Sequence, residues 1–133
     1  MNTSVPATPE ALLSRARGLL RGLQATSADI QASALVSHDG LMLAAVLAND
    51  VNADRFGAMC ASLLALATRA AGEVERGDLR QIILDGTLGP LLLTRAGATG
   101  VLAVAASPDA NLGKVILDAR KIAAQLATLK ISH

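Results

Sequence analysis

Three consecutive residues, Ser37-His38-Asp39, carry the letters of a nucleophile, a base and an acid. A catalytic triad needs those groups to converge from separate segments, with the acid orienting the base. Adjacent residues point their side chains in different directions, so this run reads as a turn. Cys60 is the one cysteine, which excludes an internal disulfide and points to a reducing compartment. It lies in an apolar run and is expected to act as a small core hydrophobe. The other histidine, His133, is terminal and expected to be mobile, and two histidines and one cysteine this far apart make no metal-ligand set. Gly86, Gly89, Gly97 and Gly100 fall in joins between strands, whereas a phosphate loop follows a strand and opens a helix. Gly113 comes closest, but Lys114 after it is followed by Val115 and not by Ser or Thr. No metal, cofactor or catalytic residue is therefore expected.

What remains is a question of surfaces. The chain has 133 residues, enough for one domain with a real core. It is 52% apolar and only 1% aromatic, so Ala, Leu, Val and Ile must build that core around a single ring, Phe56. Twelve basic and 11 acidic residues leave a net charge of +1. That balance offers no basic patch for nucleic acid, and one Phe with no Trp or Tyr offers no stacking platform. The start, MNTSVPATPE, has neither the basic nor the apolar region of a secretory signal. No apolar run reaches the ~18 residues that span a membrane. A cytoplasmic domain over residues 8–133, after a disordered tail at 1–7, is expected.

Thr8-Pro9 reads as an N-cap followed by proline at the first helical position. Leu12, Leu13, Ala16, Leu19, Leu20 and Leu23 then recur at helical spacing, with Arg15, Arg17 and Arg21 toward water. Two apolar runs, Ile30 to Ser37 and Leu41 to Leu47, flank His38-Asp39-Gly40, a strong hairpin signal. A central helix is predicted from Asn52 to Arg76, with Gly77 as its stop. Arg80 to Leu84, Pro90 to Thr94 and Val101 to Ala106 follow as strands. Their joins are too short for parallel crossovers, so the three form an antiparallel meander. Ser107-Pro108-Asp109 is expected to start a last helix, striped by Leu112, Val115, Ile116, Ala119, Ile122, Ala123, Leu126 and Leu129. The fold class is α+β: αββαβββα, one five-stranded antiparallel sheet with helices on its faces.

The central helix is unusual in being apolar nearly all round. At ~100° per residue its large residues, Phe56, Met59, Cys60, Leu63, Leu66, Ala67, Ala70 and Val74, fall in one sector, suited to the sheet. Gly57, Ala58, Ala61, Ala65, Thr68 and Gly72 fall nearly opposite, where small side chains let another backbone come close. Both terminal helices have a single apolar face, so no segment of this chain is left to cover that second one. A second copy, related by a two-fold axis, is the economical cover; the alternative is that alanine is simply a good helix former and the small face lies in water. Arg55, Ser62, Arg69 and Glu73 form a narrow polar strip beside it.

The order of elements, the HDGLMLA hairpin, the LGPLLLTRAG meander and the SPDANLGKVILDARKIAAQL segment resemble the roadblock (dynein light chain roadblock-type) family over about residues 29–129. The resemblance implies a roadblock/profilin-like fold, with the central helix on one face of the sheet and the terminal helices on the other. It also implies homodimers, joined through the central helices and through third strands that pair into one continuous sheet. Arg80, Ile82 and Leu84 would then join the small face at the seam. Members of the family are non-enzymatic regulators and scaffolds, several of which bind small Ras-like GTPases. Arg55, Ser62, Arg69 and Glu73, together with Arg76, are the candidate GTPase-contact surface. An arginine finger from Arg55 or Arg69 is the weaker reading, since both also fit as solvated flank residues. Two further classes stand beside this one: a structural adaptor in a motor or filament complex, and a small-ligand-sensing domain. The latter needs a large closed apolar pocket, which small side chains and absent aromatics argue against.

Overall fold

The computed structural model describes residues 8–131; the expected tail at 1–7 and the terminal His133 lie outside them. The elements are α1 (Pro9–Thr26), β1 (Ile30–Val36), β2 (Met42–Val46), α2 (Ala53–Glu73), β3 (Gln81–Gly86), β4 (Gly89–Ala96), β5 (Gly100–Ala106) and α3 (Leu112–Ala127). This is the expected α+β order. The strands form one antiparallel sheet in the order β2-β1-β5-β4-β3.

Strand residues alternate between two cores, as a period of two requires. Leu35, Leu92, Leu102 and Val104 face α1 and α3, which bring Leu20, Leu23, Val115 and Leu126. Ala34, Val36, Leu93, Val101 and Ala103 face α2, which brings Cys60 and Leu64. Helices cover both faces, which explains why β5, in the middle, is an unbroken apolar run.

Thr8 caps α1 as expected, its side chain accepting from the Ala11 N–H at 3.1 Å. The start of α3 differs from expectation. Ser107 to Ala110 close a turn, with the Ala110 N–H on the Ser107 carbonyl at 3.1 Å. Asn111 is the true cap, accepting from the Lys114 N–H at 3.1 Å, and the helix begins at Leu112. Proline at Pro108 serves the turn and not the first helical position. The end of α2 also falls short of Arg76. Glu75 takes the left-handed conformation (φ 57°), and the N–H groups of Glu75 and Arg76 return to the carbonyls of Gly72 and Ala71. That is a Schellman ending, with a glutamate where glycine is usual. Gly77, the expected stop, follows with its own positive φ of 83°.

Candidate interaction surface

The letters of a triad are absorbed by the β1–β2 turn. The Ser37 hydroxyl is buried, accepts from the Leu41 N–H at 2.9 Å and donates to the Asp39 carboxylate. His38 is exposed beside it. Cys60 is also fully buried, and burial pushes its thiol up to about 11. A thiol held protonated is a poor nucleophile. Among the described residues no three His, Cys, Asp or Glu gather as metal ligands, and no helix is long and apolar enough to cross a membrane.

α2 begins at the cap Asn52, which accepts from the Arg55 N–H at 3.0 Å. It starts over the β1–β2 hairpin, where Gly57 and Ala58 lie against Gly40, and runs toward β3, which Ala71 and Arg76 approach. Its sheet-facing side is centred on Cys60 and Leu64, flanked by Phe56 and Leu63 on one side and Gly57 and Ala61 on the other. This corrects the face predicted from side-chain size by roughly 80° of rotation about the helix axis. Met59, Leu66 and Val74 do not pack on the sheet; they are 55%, 63% and 62% exposed. Gly57, expected at the seam with a second copy, is instead buried within the chain. A Cβ there would meet the Gly40 carbonyl oxygen at 2.6 Å. The physical reason is that glycine lets α2 settle onto the hairpin backbone, which turns the helix so that small residues go inward at that end.

The outward side of α2 is consequently mixed. Ala58, Ala65 and Gly72 are exposed on one flank, and Met59, Leu66 and Ala70 on the other. Arg55, Ser62, Arg69 and Glu73 run down the centre between the two flanks, and none of these four makes an ion pair among the described residues. Ser62 donates to the Ala58 carbonyl at 3.0 Å. Ala61 is half-buried under the helix. Thr68 donates to the Leu64 carbonyl at 2.7 Å and accepts from Arg95 Nη2 at 3.0 Å, which ties α2 to β4. Arg76 folds back to donate from Nε to the Val74 carbonyl at 3.0 Å.

β3 is an open edge of the sheet. The other edge, β2, lies against both α1 and α2. Ile82 and Leu84 share the α2 side with Leu93 and Leu91, their β4 partners. Ile82 is half-buried, Leu84 is 39% exposed and Arg80 is exposed. Arg95 and Arg120, which the sequence did not single out, reach the start of this edge. Arg95 donates to the Leu79 carbonyl at 3.1 Å, and Arg120 to the Gln81 side chain at 3.1 Å. A separate open groove of about 500 Å³ lies at the start of α2, between Phe56, Leu47, Val51 and Leu88. Its openness does not suit the closed pocket of a ligand sensor.

A family model described as the Roadblock/LC7 domain matches residues 17–106, more than half of the chain. The chain belongs to the Roadblock/LC7 domain family. The archaeal protein MJ1340 of Methanocaldococcus jannaschii, itself uncharacterized, is 32% identical to this roadblock domain over 100 residues, covering 75% of this chain and 87% of that one. Among solved structures, the gliding protein MglB of Thermus thermophilus superposes with a TM-score of 0.79 at 20% identity, covering 97% of both chains. MglB in a tetrameric arrangement superposes with a TM-score of 0.82 at 22% identity, covering 97% of this chain and 96% of that one. At such identities the structural likeness speaks to the fold.

Proposed function

We propose that this roadblock domain is a non-enzymatic cytoplasmic homodimer that binds a small Ras-like GTPase and regulates or scaffolds it. The observation that carries the proposal is the outward side of α2. Two arginines and a glutamate without ion-pair partners among the described residues run down its centre, flanked by exposed apolar residues. Cys60, Leu64 and the Arg95–Thr68 bond fix the helix that carries them to the sheet. A surface with an apolar body and free charged groups has the composition of a protein-docking site. It offers no convergent acid, base or nucleophile that would make it a reaction site.

Two copies share the work. Toward its C-terminal end α2 exposes Leu66 and Ala70, with its cap residue Val74, on the flank next to Leu63, and Leu63 shares a core with Ile82 of β3. Pairing β3 with its twin brings two such apolar strips together, whereas Ala58, Ala65 and Gly72, expected at the seam, lie on the opposite flank of α2, across the charged strip. Arg80 lies at the β3 edge. Arg55, Ser62, Arg69, Glu73 and Arg76 then remain for the GTPase. The self-association of MglB in its tetrameric arrangement supports this reading. The test is a calorimetric titration against a purified bacterial Ras-like GTPase, loaded with GDP or a non-hydrolysable GTP analogue. Arg69→Glu with Arg76→Glu should weaken binding about tenfold or more while leaving the dimer intact. Unchanged affinity would remove this surface from the GTPase interface.

A further inference from the structure

The dimer proposed above leaves one feature of the edge unexplained, a basic notch at the start of β3. Arg76, Arg80 and Arg120 line a recess of about 570 Å³ there, with Asp78 as its one carboxylate. None of these four is ion-paired among the described residues. The far end of the same strand is acidic, at the exposed Asp85. An antiparallel pairing of β3 with its own copy lays the acidic end of one strand along the basic end of the other.

Strand geometry restricts how this happens. Gly86 and Gly89 are opposed across the two-residue turn Thr87-Leu88, and such a turn is flanked by a hydrogen-bonded pair. Alternation then commits the backbone groups of Leu84 and Ile82 to β4 and leaves those of Gln81, Ile83 and Asp85 pointing outward. A two-fold axis perpendicular to the sheet keeps both copies of α2 on one side, so facing residues must share a face. Ile82 and Leu84 belong to the α2 face. Gln81 belongs to the other, where Arg120 of α3 holds its side chain. Arg80 is therefore never directly opposite the partner's Asp85, despite the apparent match of charges. Of the registers that obey these rules, the one with Ile83 opposite its own copy also places the partner's Asp85 opposite Gln81, on the face that carries Arg120.

We infer that the notch receives the β3–β4 hairpin of a second copy of this chain, in the register that sets Ile83 against Ile83 and pairs Arg120 with the partner's Asp85, twice per dimer. The inference rests on the β3-paired dimer. Residues directly opposite in a hydrogen-bonded pair have Cα atoms ~5.5 Å apart, and Arg120 already lies 3.1 Å from the Gln81 oxygen, so the carboxylate comes within reach. In the same register Arg80 faces the partner's Gly86, whose missing side chain leaves room for the long arginine. The two pairs also make the contact selective for an identical chain, because each end of the strand supplies what the other lacks.

The experiment uses two charge reversals at exposed positions, Asp85→Arg and Arg120→Glu, in the full chain. Each alone sets like charges together twice and should weaken self-association about tenfold or more, as read by sedimentation equilibrium. Mixed, they should form a heterodimer of near wild-type affinity. One of its two contacts keeps the native pair, Arg120 of the first variant with Asp85 of the second, and the other brings the two reversed charges together. Native mass spectrometry counts that species directly. A wild-type dimer whose two variants self-associate normally, or fail to complement on mixing, would overturn the register while leaving the dimer standing. A wild-type chain that stays monomeric would overturn the dimer itself.

Discussion

Gly57 sets how α2 lies on the sheet. A methyl group there would press on the Gly40 carbonyl from 2.6 Å, and that carbonyl belongs to a turn already fixed by Ser37. Neither backbone can yield without moving the hairpin or lifting the helix. Gly57→Ala should therefore destabilise the fold by about 1–3 kcal/mol, measured by urea unfolding, although alanine is the better helix former. Little change would mean that α2 sits more loosely than the structure has it. Cys60 carries a second prediction. Burial raises its pKa from 9.0 to about 11, so the folded chain holds the proton more tightly than the unfolded one. That contribution is fully present below pH 9.0 and is lost as pH rises through about 11. Unfolding free energy should fall across that window in the wild type and fall less in Cys60→Ala. Equal slopes would exclude the thiol as the titrating group.

At the scale of elements, apolar runs bounded by turn residues placed the strands and 3.6-residue stripes placed α1 and α3, because each of these has a single buried solution. The hairpin at Asp39-Gly40 and the N-cap at Thr8 were legible for the same reason: local chemistry decides them. α2 was not fully legible. A helix apolar on all sides gives no periodic signal for its rotation, and side-chain size proved a poor substitute. Leu64 went inward and Leu66 outward because Gly57 met Gly40, a contact between residues about 17 positions apart in sequence that composition cannot reveal. Arg95 and Arg120 were missed for a similar reason, since their places depend on where β3 lies in the sheet. The outward face that resulted can be tested separately from folding. Leu66 is 63% exposed on the flank that turns toward β3, so Leu66→Arg should change monomer stability by less than about 0.5 kcal/mol. It should still disrupt self-association, because a second α2 would have to bury that charge. A parallel loss of thermal stability and association would show instead that Leu66 supports the fold of the single chain.

The whole molecule presents two unfinished surfaces, the outward face of α2 and the edge strand β3. Leu66 and Val74 are 63% and 62% exposed on the first, while Ile83 and Leu84 are each 39% exposed on the second. Exposed apolar residues on a helix and an open, proline-free edge strand are each a liability for a protein alone in water. One two-fold axis beside β3 resolves both and leaves the charged strip of α2 free for a partner. Everything proposed about that partner depends on this axis existing. Sedimentation equilibrium on the wild-type chain, at concentrations on the order of tens of micromolar, tests it most directly. The prediction is a species of twice the 13.5 kDa chain mass, or a larger multiple built from it. A single species of 13.5 kDa across that range would contradict it.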